Sequence, residues 1–202
     1  MNDIENKFIA DYIKKDGFWY TFKRTAAELD KIYAHFNLFK SFENKKWNDN
    51  QNNFSKILKE SNLLTLHTAT EGEANARGYK KLFEQLGLSY ENTKGIITIT
   101  EIGEKFLNSS NKEFEIIKTE QLIKYQVYNP FIDSNIFKVL KIKPYIYLLN
   151  ILNIIENNFI TFEELKLFVF RSYNKNELEE SIEYIKWWRT LNDLEKKKLF
   201  LK

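Results

Sequence analysis

The segment 68–81 carries the side chains that are best suited to reading the edges of nucleic-acid bases. Its candidate contact residues are Thr70, Glu71, Glu73, Asn75, Arg77, Lys80 and Lys81. An arginine can reach a guanine edge or a phosphate, an asparagine can pair with adenine, and a glutamate can accept from a cytosine amine. Recognition helices present their first turns to bases, and helix N-termini favour phosphate. The sequence therefore predicts that this segment lies in or against the major groove of duplex DNA.

An alternative interpretation of the same segment is a solvated helix face in which Arg77 forms a structural ion pair. Helical spacing assigns Tyr79 to an apolar face, and Lys80 and Lys81 follow it by one and two residues. Both lysines are therefore predicted to point away from the core, where they could contact phosphates. Residues 67–75 lack a long apolar side chain, so they are predicted to form a loop before the helix.

Two other segments interleave aromatic rings with cations, a pattern that can serve nucleic-acid binding. In the first, Lys23 and Arg24 follow a run of rings that includes Trp19. The second segment, 45–48, consists of Lys45, Lys46, Trp47 and Asn48. Lysine and arginine can neutralise phosphates, and an asparagine amide can pair with adenine. The rings around Trp19 could equally be core residues, because large aromatic side chains are mostly buried.

The segment Glu164-Leu165-Lys166 is the most tempting match to the acid–x–lysine pattern of Mg²⁺-dependent nucleases. In such sites carboxylates bind the hard cation, and the lysine steadies the attacking water or the phosphate. The match lies inside a predicted helix, where Thr161 and Glu164 have the spacing of a capping box. We therefore interpret Glu164 as a cap and Lys166 as a solvated side chain, and the sequence predicts no catalytic centre and no metal site. His35, beside an apolar helical face, is interpreted as a packing or surface residue.

Hydrophobic periodicity and turn residues predict the elements that position the first segment. An amphipathic helix is predicted from the helical spacing of Tyr79, Leu82, Phe83 and Leu86. Residues 88–90 and 95–100 follow as two short strands around a turn at 91–94. Thr100 is predicted to cap a helix over 101–107, because its hydroxyl can accept from an unpaired amide. Helix, hairpin and helix in this order are typical of a winged helix.

Further helices are predicted on both sides of this hairpin. Their ranges are 4–13, 25–39, 54–66, 113–128 and a set that starts near Pro144 and ends with 178–188. The small numbers of glycines (6) and prolines (2) favour helices over a many-turned β-sandwich. The predicted fold is mainly α with a small β-hairpin wing, in two winged-helix-like subdomains joined by a helix. The predicted boundaries are 1–112, 113–142 for the connecting helix and linker, and 143–202 for the second subdomain.

Composition restricts the partners and the compartment. The 17 Phe and 11 Tyr argue against disorder, and the net charge of +3 permits a polyanionic partner. The absence of cysteine excludes a disulfide framework and a thiolate metal site. The most apolar stretch, 145–155, is too short and too polar to span a bilayer. Acidic residues near the N-terminus argue against a secretory signal, so a cytoplasmic location is the default expectation.

An ordered series of motifs, from about residue 17 to about residue 190, resembles AlwI-like type IIS restriction and nicking endonucleases. The series comprises Trp19-Tyr20, Ala76-Arg77-Gly78-Tyr79, Leu86-Gly87-Leu88, the run 97–107, Leu122-Ile123-Lys124-Tyr125-Gln126, Asn129-Pro130-Phe131 and Lys143-Pro144-Tyr145. The resemblance implies a DNA-recognition region of two helical, winged-helix-like subdomains. It also implies a separate C-terminal nuclease domain of the PD-(D/E)xK type, which cuts outside a short asymmetric site.

Within that resemblance, this chain is expected to be the recognition module without the nuclease domain. Its expected partners are double-stranded DNA and a nuclease domain or subunit, and it is expected to act as a monomer. Mg²⁺ is expected only in the nuclease domain, so no cofactor is expected in this chain. Two other classes of protein stay open: a winged-helix transcription regulator, which would normally dimerise on a palindrome, and a helical protein-interaction domain.

Overall fold

The chain divides into two compact units, one of residues 22–125 and the other of residues 1–21 with 126–202. Its described elements are mainly helices, with one two-stranded antiparallel hairpin, as the sequence predicts. The computed structural model describes residues 3–14, 19, 31–64, 69–127 and 140–199, without the side chains of 12–14 and 69–71.

The helices and strands are numbered here in chain order. They are α1 (Asp3–Lys14), α2 (Ile32–Lys40), α3 (Gln51–Glu60), α4 (Ala69–Gln85), β1 (Ser89–Glu91), β2 (Ile97–Ile99), α5 (Glu101–Asn108), α6 (Asn111–Lys124), α7 (Pro144–Ile154), α8 (Phe162–Glu164), α9 (Leu178–Thr190) and α10 (Asp193–Leu199). A π-helical turn, Leu165–Val169, continues α8, and short 3-10 turns occupy Glu156–Asn158 and Lys175–Glu177.

Phenylalanine rings form the centre of the unit 22–125. Phe36 on α2, Phe54 on α3 and Phe83 on α4 are fully buried. The ring of Phe39 lies 5.2 Å from that of Phe54 and 5.0 Å from that of Phe83, between centroids. The helices α3 and α4 also pack directly against each other. This core fixes which face of α4 is turned inward.

The hairpin and the helix after it confirm the sequence prediction, with the strands displaced by one or two residues. Strands β1 and β2 are antiparallel, with Tyr90 opposite Thr98. The turn between them ends at Gly95, whose φ of +75° lies in the region that glycine adopts without steric cost. The hydroxyl of Thr100 accepts a hydrogen bond from the amide of Gly103 at 3.0 Å, so Thr100 caps α5.

α4 is longer than the sequence predicts. It begins at Ala69, so the prediction of a loop through residue 75 is wrong. Gly72 and Ala76, four residues apart, are both buried. Small residues on the inward face allow α4 to pack closely against α3. The first turns of α4 bury small residues and carry no stripe of long apolar side chains. Hydrophobic periodicity in the sequence therefore does not predict them as helix.

α3 is shorter than the predicted helix over 54–66 and starts earlier, at Gln51. Its end is set by Asn62, which adopts the left-handed conformation with φ of 56°. The amide of Leu63 then donates to the carbonyl oxygen of Leu58 at 2.9 Å. An asparagine tolerates this conformation better than most residues, and the resulting bond closes the helix.

α6 occupies most of the predicted connecting helix over 113–128. It starts two residues earlier because Ser110 and Glu113 form a capping box, in which the Ser110 hydroxyl accepts from the Glu113 amide and the Glu113 carboxylate accepts from the Ser110 amide. Helix α6 packs against α5 within the unit 22–125. The division into subdomains 1–112, 113–142 and 143–202 stays a prediction.

In the other unit, α7 starts at Pro144 as predicted, because proline suits the first turn of a helix. Ile151 on α7 and Trp188 on α9 lie in its buried core. Trp19 is also buried, and its indole N–H donates to the carbonyl oxygen of Ser172 at 2.7 Å. The interpretation of this ring as a core residue is confirmed. None of the described helices is long and apolar enough to cross a membrane.

Candidate nucleic-acid interface

The helix α4 carries two of the predicted contact residues, Arg77 and Lys81, on the face opposite its buried one. Ala76, Tyr79 and Phe83 belong to the core of the unit 22–125. Arg77 is exposed, and Lys81, four residues later, is half-buried. Residues four apart lie on the same face of a helix, so these two cations form one surface with the exposed methyl group of Ala74.

Arg77 also has a carboxylate neighbour on this surface. Its Nη1 atom lies 3.6 Å from Oε2 of Glu73, and the two side chains are 50% and 43% exposed. Exposed ion pairs at this spacing stabilise a helix by about 0.3–0.5 kcal/mol. The ion pair of the alternative interpretation is therefore present, but it is too weak to withhold the guanidinium group from a ligand.

The remaining candidates of the segment 68–81 are less fully described. Asn75 is half-buried on α4. The side chains of Thr70 and Glu71 lie outside the described residues, as do Lys23 and Arg24 entirely. The predicted contacts of these four residues stay predictions.

Lys80 does not point to solvent, and the prediction that it faces away from the protein is wrong. Its Nζ atom lies 2.7 Å from Oε1 of Glu84 and 2.6 Å from Oε2 of Glu91, and only 13% of its side chain is exposed. The Trp47 ring lies 5.8 Å from the same Nζ atom. Because the hairpin lies along this flank of α4, it covers a position that helical spacing alone would leave open.

This buried charged cluster, Lys80 with Glu84 and Glu91, was missed in the sequence. Burial raises the pKa of Glu84, and the hydrogen bond from Lys80 opposes that effect. The i,i+4 spacing of Lys80 and Glu84 is visible in the sequence, but the approach of Glu91 depends on how the hairpin folds. The cluster joins α4 to β1.

The segment 45–48 lies between α2 and α3 and runs beside β2. Lys46 forms an antiparallel bridge with Ile96, and the amide of Trp47 donates to the carbonyl oxygen of Gly95 at 2.9 Å. The Trp47 ring is 4% exposed and packs in the core, so it offers no platform for stacking on a base. Lys45, Lys46 and Asn48 are exposed. Three of the four candidate residues in this segment are thus accessible.

Glu164 is a capping residue, as predicted from the sequence. Its side chain accepts from the amide of Thr161 at 2.8 Å, and the Thr161 hydroxyl accepts in return from the Glu164 amide. Arg189 donates to both carboxylate oxygens, from Nε at 2.7 Å and from Nη2 at 3.1 Å. Burial acts to raise the pKa of Glu164, but the hydrogen bonds from Arg189 and Thr161 hold it below its usual value. Lys166 is exposed, as predicted.

Two further observations concern metal binding and histidine. Among the described residues, no three His, Cys, Asp or Glu side chains are grouped so that they could hold a metal ion. His35 is fully buried and stacks on Tyr79 with 4.1 Å between ring centroids. Its Nδ1 atom lies 2.7 Å from the carbonyl oxygen of Lys31. The interpretation of His35 as a packing residue is confirmed.

A protein-family model described as AlwI restriction endonuclease matches residues 84–201, which is more than half of the chain. The matched range starts near the end of α4 and includes the hairpin, both helices after it and α7 to α10. No curated protein matches the chain. The chain belongs to the AlwI restriction endonuclease family, and membership of this family implies DNA as a partner.

Proposed function

We propose that this chain binds a specific sequence of double-stranded DNA as the recognition module of a type IIS restriction or nicking endonuclease. The observation that carries the proposal is the outer face of α4. It presents the exposed Arg77 and the half-buried Lys81 side by side, while the inner face is anchored in the core. A helix held in this way can enter a major groove without losing its packing.

The order of elements in the unit 22–125 supports the assignment of a winged helix. In that fold a helix, a short strand, two more helices and a hairpin follow one another along the chain. Here the Lys46–Ile96 bridge provides the short strand between α2 and α3, and α4 precedes β1 and β2. In this assignment α4 is the recognition helix, and the hairpin is the wing.

We assign roles to the contact residues by their chemistry. Arg77 is placed at a base edge, with Glu73 and Asn75 as further candidates on the same helix. Lys81 and the exposed residues of the segment 45–48 are assigned to phosphates, because a lysine acts as a point charge that carries little sequence information. The candidates Lys23, Arg24, Thr70 and Glu71 keep the roles predicted from the sequence.

In this proposal, DNA cleavage is the task of a nuclease domain or subunit that holds Mg²⁺. The buried Glu164 is engaged with Arg189 and Thr161, which supports a structural role for the Glu164-Leu165-Lys166 segment. A monomer that reads DNA with one recognition helix fits a short asymmetric site, because a palindrome reflects two-fold symmetry of the protein.

The test of the proposed function is selection from a randomised duplex library with the whole chain. We expect enrichment of one short asymmetric site. Binding to it, followed by fluorescence anisotropy, should weaken with salt at a slope of about 0.9 logarithmic units per phosphate contact. An enriched palindrome would favour a transcription regulator instead. Failure to bind any duplex even at low salt would overturn the proposal in favour of a protein-interaction domain.

Replacing Arg77 by alanine is expected to remove about 1–3 kcal/mol of discrimination at one base-pair position, because one base edge loses its partner. Competition with duplexes that carry single substitutions in the selected site measures this loss. The control is Lys81→Ala on the same face, which should weaken all duplexes alike and make the salt slope shallower by about one unit. If both variants fold and bind like the unmodified protein, the reading region lies elsewhere, and the segment 45–48 is the next candidate.

A further inference from the structure

A basic groove of about 280 Å³ lies in the unit formed by 1–21 and 126–202. Three lysines, Lys141, Lys143 and Lys175, and two amide side chains, Gln126 and Asn150, supply its polar lining. The other residues that line it are apolar or aromatic, and among the described residues no carboxylate lines it. The groove shares no residue with the candidate interface on α4. Sequence reasoning did not identify it, because its residues come from three separate segments, 126, 141–150 and 175–178.

The fold brings these segments together through backbone contacts. A parallel bridge between Lys141 and Asn174 places residues 141–143 beside Lys175. The amide of Val127 donates to the carbonyl oxygen of Ile142 at 3.0 Å, which holds the residue before Val127 next to the same segment. Helix α7 starts directly after Lys143 and contributes Asn150 from its second turn. Backbone hydrogen bonds therefore hold the segments that carry the three lysines next to one another.

Two carboxylates lie near the groove, because Glu177 and Glu180 act electrostatically on its lining residue Tyr147, but they form no ion pair with its lysines. Lys141, Lys143 and Lys175 are exposed, and none of them forms an ion pair with another described residue. Each of these two carboxylates has a partner other than the lysines of the groove. Glu177 accepts from the amide of Tyr173 at 3.1 Å and from Asn174 at 2.9 Å. Glu180 is paired with Lys7 at 2.8 Å.

We propose that this groove binds backbone phosphates of duplex DNA, as a contact that is independent of base sequence. Three compact cations and two amide groups match the oxygens of phosphodiester groups, which accept hydrogen bonds and carry negative charge. The volume is smaller than that of pockets that enclose a whole ligand. It therefore suits a surface phosphate better than a base flipped out of the helix. The choice of duplex DNA as the partner rests on the proposed function.

The test replaces all three lysines together, as Lys141→Gln/Lys143→Gln/Lys175→Gln, in the whole chain. Anisotropy is measured over a range of salt concentrations with the selected duplex and with a scrambled duplex. We expect both affinities to fall by about ten- to hundredfold at low salt and the salt slope to become shallower by about two to three units. The ratio of the two affinities should not change, because phosphates carry no sequence information.

The matched control removes three exposed lysines of the same unit that do not line the groove, as Lys186→Gln/Lys197→Gln/Lys198→Gln. This control has the same net charge as the groove variant, so it loses the same long-range attraction to DNA but no proposed phosphate contact. We therefore expect its salt slope to change by less than about one unit. Circular dichroism verifies that both variants fold. The single variants Lys141→Gln and Lys175→Gln should each remove about one unit of slope.

The outcomes separate this inference from the proposed function. If the groove variant binds both duplexes like the unmodified protein while Arg77→Ala relaxes specificity, the groove is not a DNA contact and the proposed function stands. Equal losses in the groove variant and the control would show a general charge effect, and would also overturn the inference. If the unmodified protein binds no duplex, both proposals fail.

Discussion

Replacing Lys80 by methionine is expected to lower the free energy of unfolding by about 3–5 kcal/mol at neutral pH. Methionine keeps the length of the side chain but removes the charge between Glu84 and Glu91. The Glu84 side chain is only 8% exposed, so water cannot replace the lost partner. Removal of one partner from a buried ion pair leaves an uncompensated charge, which costs much more than an exposed pair contributes. Urea denaturation measures the difference.

The loss should also depend on pH. Burial already raises the pKa of Glu84, and Lys80 opposes this effect, so the variant should raise it further. A carboxyl group whose pKa is higher in the folded than in the unfolded state destabilises the fold as pH rises through the folded value. The loss of unfolding free energy in Lys80→Met should therefore reach its full size above the raised pKa of Glu84. It should become smaller as pH falls toward 4.5, the ordinary pKa of a glutamate.

The control for this prediction is Lys81→Met, one residue further along α4. Lys81 lies on the outer face with Arg77, and its loss should change stability by less than about 0.5 kcal/mol. A deficit of less than about 1 kcal/mol for Lys80→Met, or one that is equal at pH 5 and pH 8, would contradict the role of Lys80 in joining α4 to the hairpin. In the proposed function that role fixes the wing relative to the recognition helix.

Local signals in the sequence were sufficient to predict the hairpin and the helix caps. The turn before Gly95, the cap at Thr100 and the capping box at Thr161 each depend on residues within about four positions of one another. Their hydrogen bonds form within one turn of chain, so the identity of neighbouring residues nearly determines the geometry. The start of α7 at Pro144 belongs to the same class.

The first turns of α4 could not be predicted in this way. Gly72 and Ala76 are buried on α4, which packs against α3, and nothing in their own chemistry favours burial over exposure. Tertiary contact overrides the weak local preference of such small or polar segments. The consequence for the candidate site is direct, since Glu73 and Asn75 lie on a helix and not on a loop.

Within the candidate site, the sequence predicts correctly those residues whose exposure depends only on their position around the helix α4. Arg77 and Lys81 lie opposite the apolar face, and they are the exposed and half-buried cations that this spacing predicts. Lys80 differs because Glu91 of the hairpin approaches it, and Trp47 differs because the segment 45–48 pairs with the hairpin and its ring packs in the core. Both approaches join residues that are distant in sequence. The groove around Lys141 was unpredictable for the same reason, since Lys175 reaches it only through the bridge at Asn174.

Replacing Glu164 by alanine is expected to lower the free energy of unfolding by about 3–5 kcal/mol. The substitution removes two hydrogen bonds from Arg189 and the one from the Thr161 amide, and it leaves the charge of Arg189, whose side chain is 25% exposed, without its carboxylate partner. It also opens the first turn of α8, because the capping box depends on this side chain. Arg189 keeps its bonds to the carbonyl oxygens of Glu156 and Phe159, which should hold the loss within this range. Urea or thermal denaturation of the whole chain measures it.

Two controls show whether this loss reflects the ion pair. Glu183→Ala removes an exposed acid of α9 and should change stability by less than about 0.5 kcal/mol. Arg189→Met combined with Glu164→Ala should destabilise less than the sum of the two single substitutions, because each single variant leaves a charge without its partner. A metal ligand would behave in the opposite way: its loss would spare the fold and abolish Mg²⁺-dependent cleavage. If Glu164→Ala leaves stability unchanged and removes such an activity from the purified chain, Glu164 is catalytic, and the proposal that cleavage belongs to another domain or subunit is wrong.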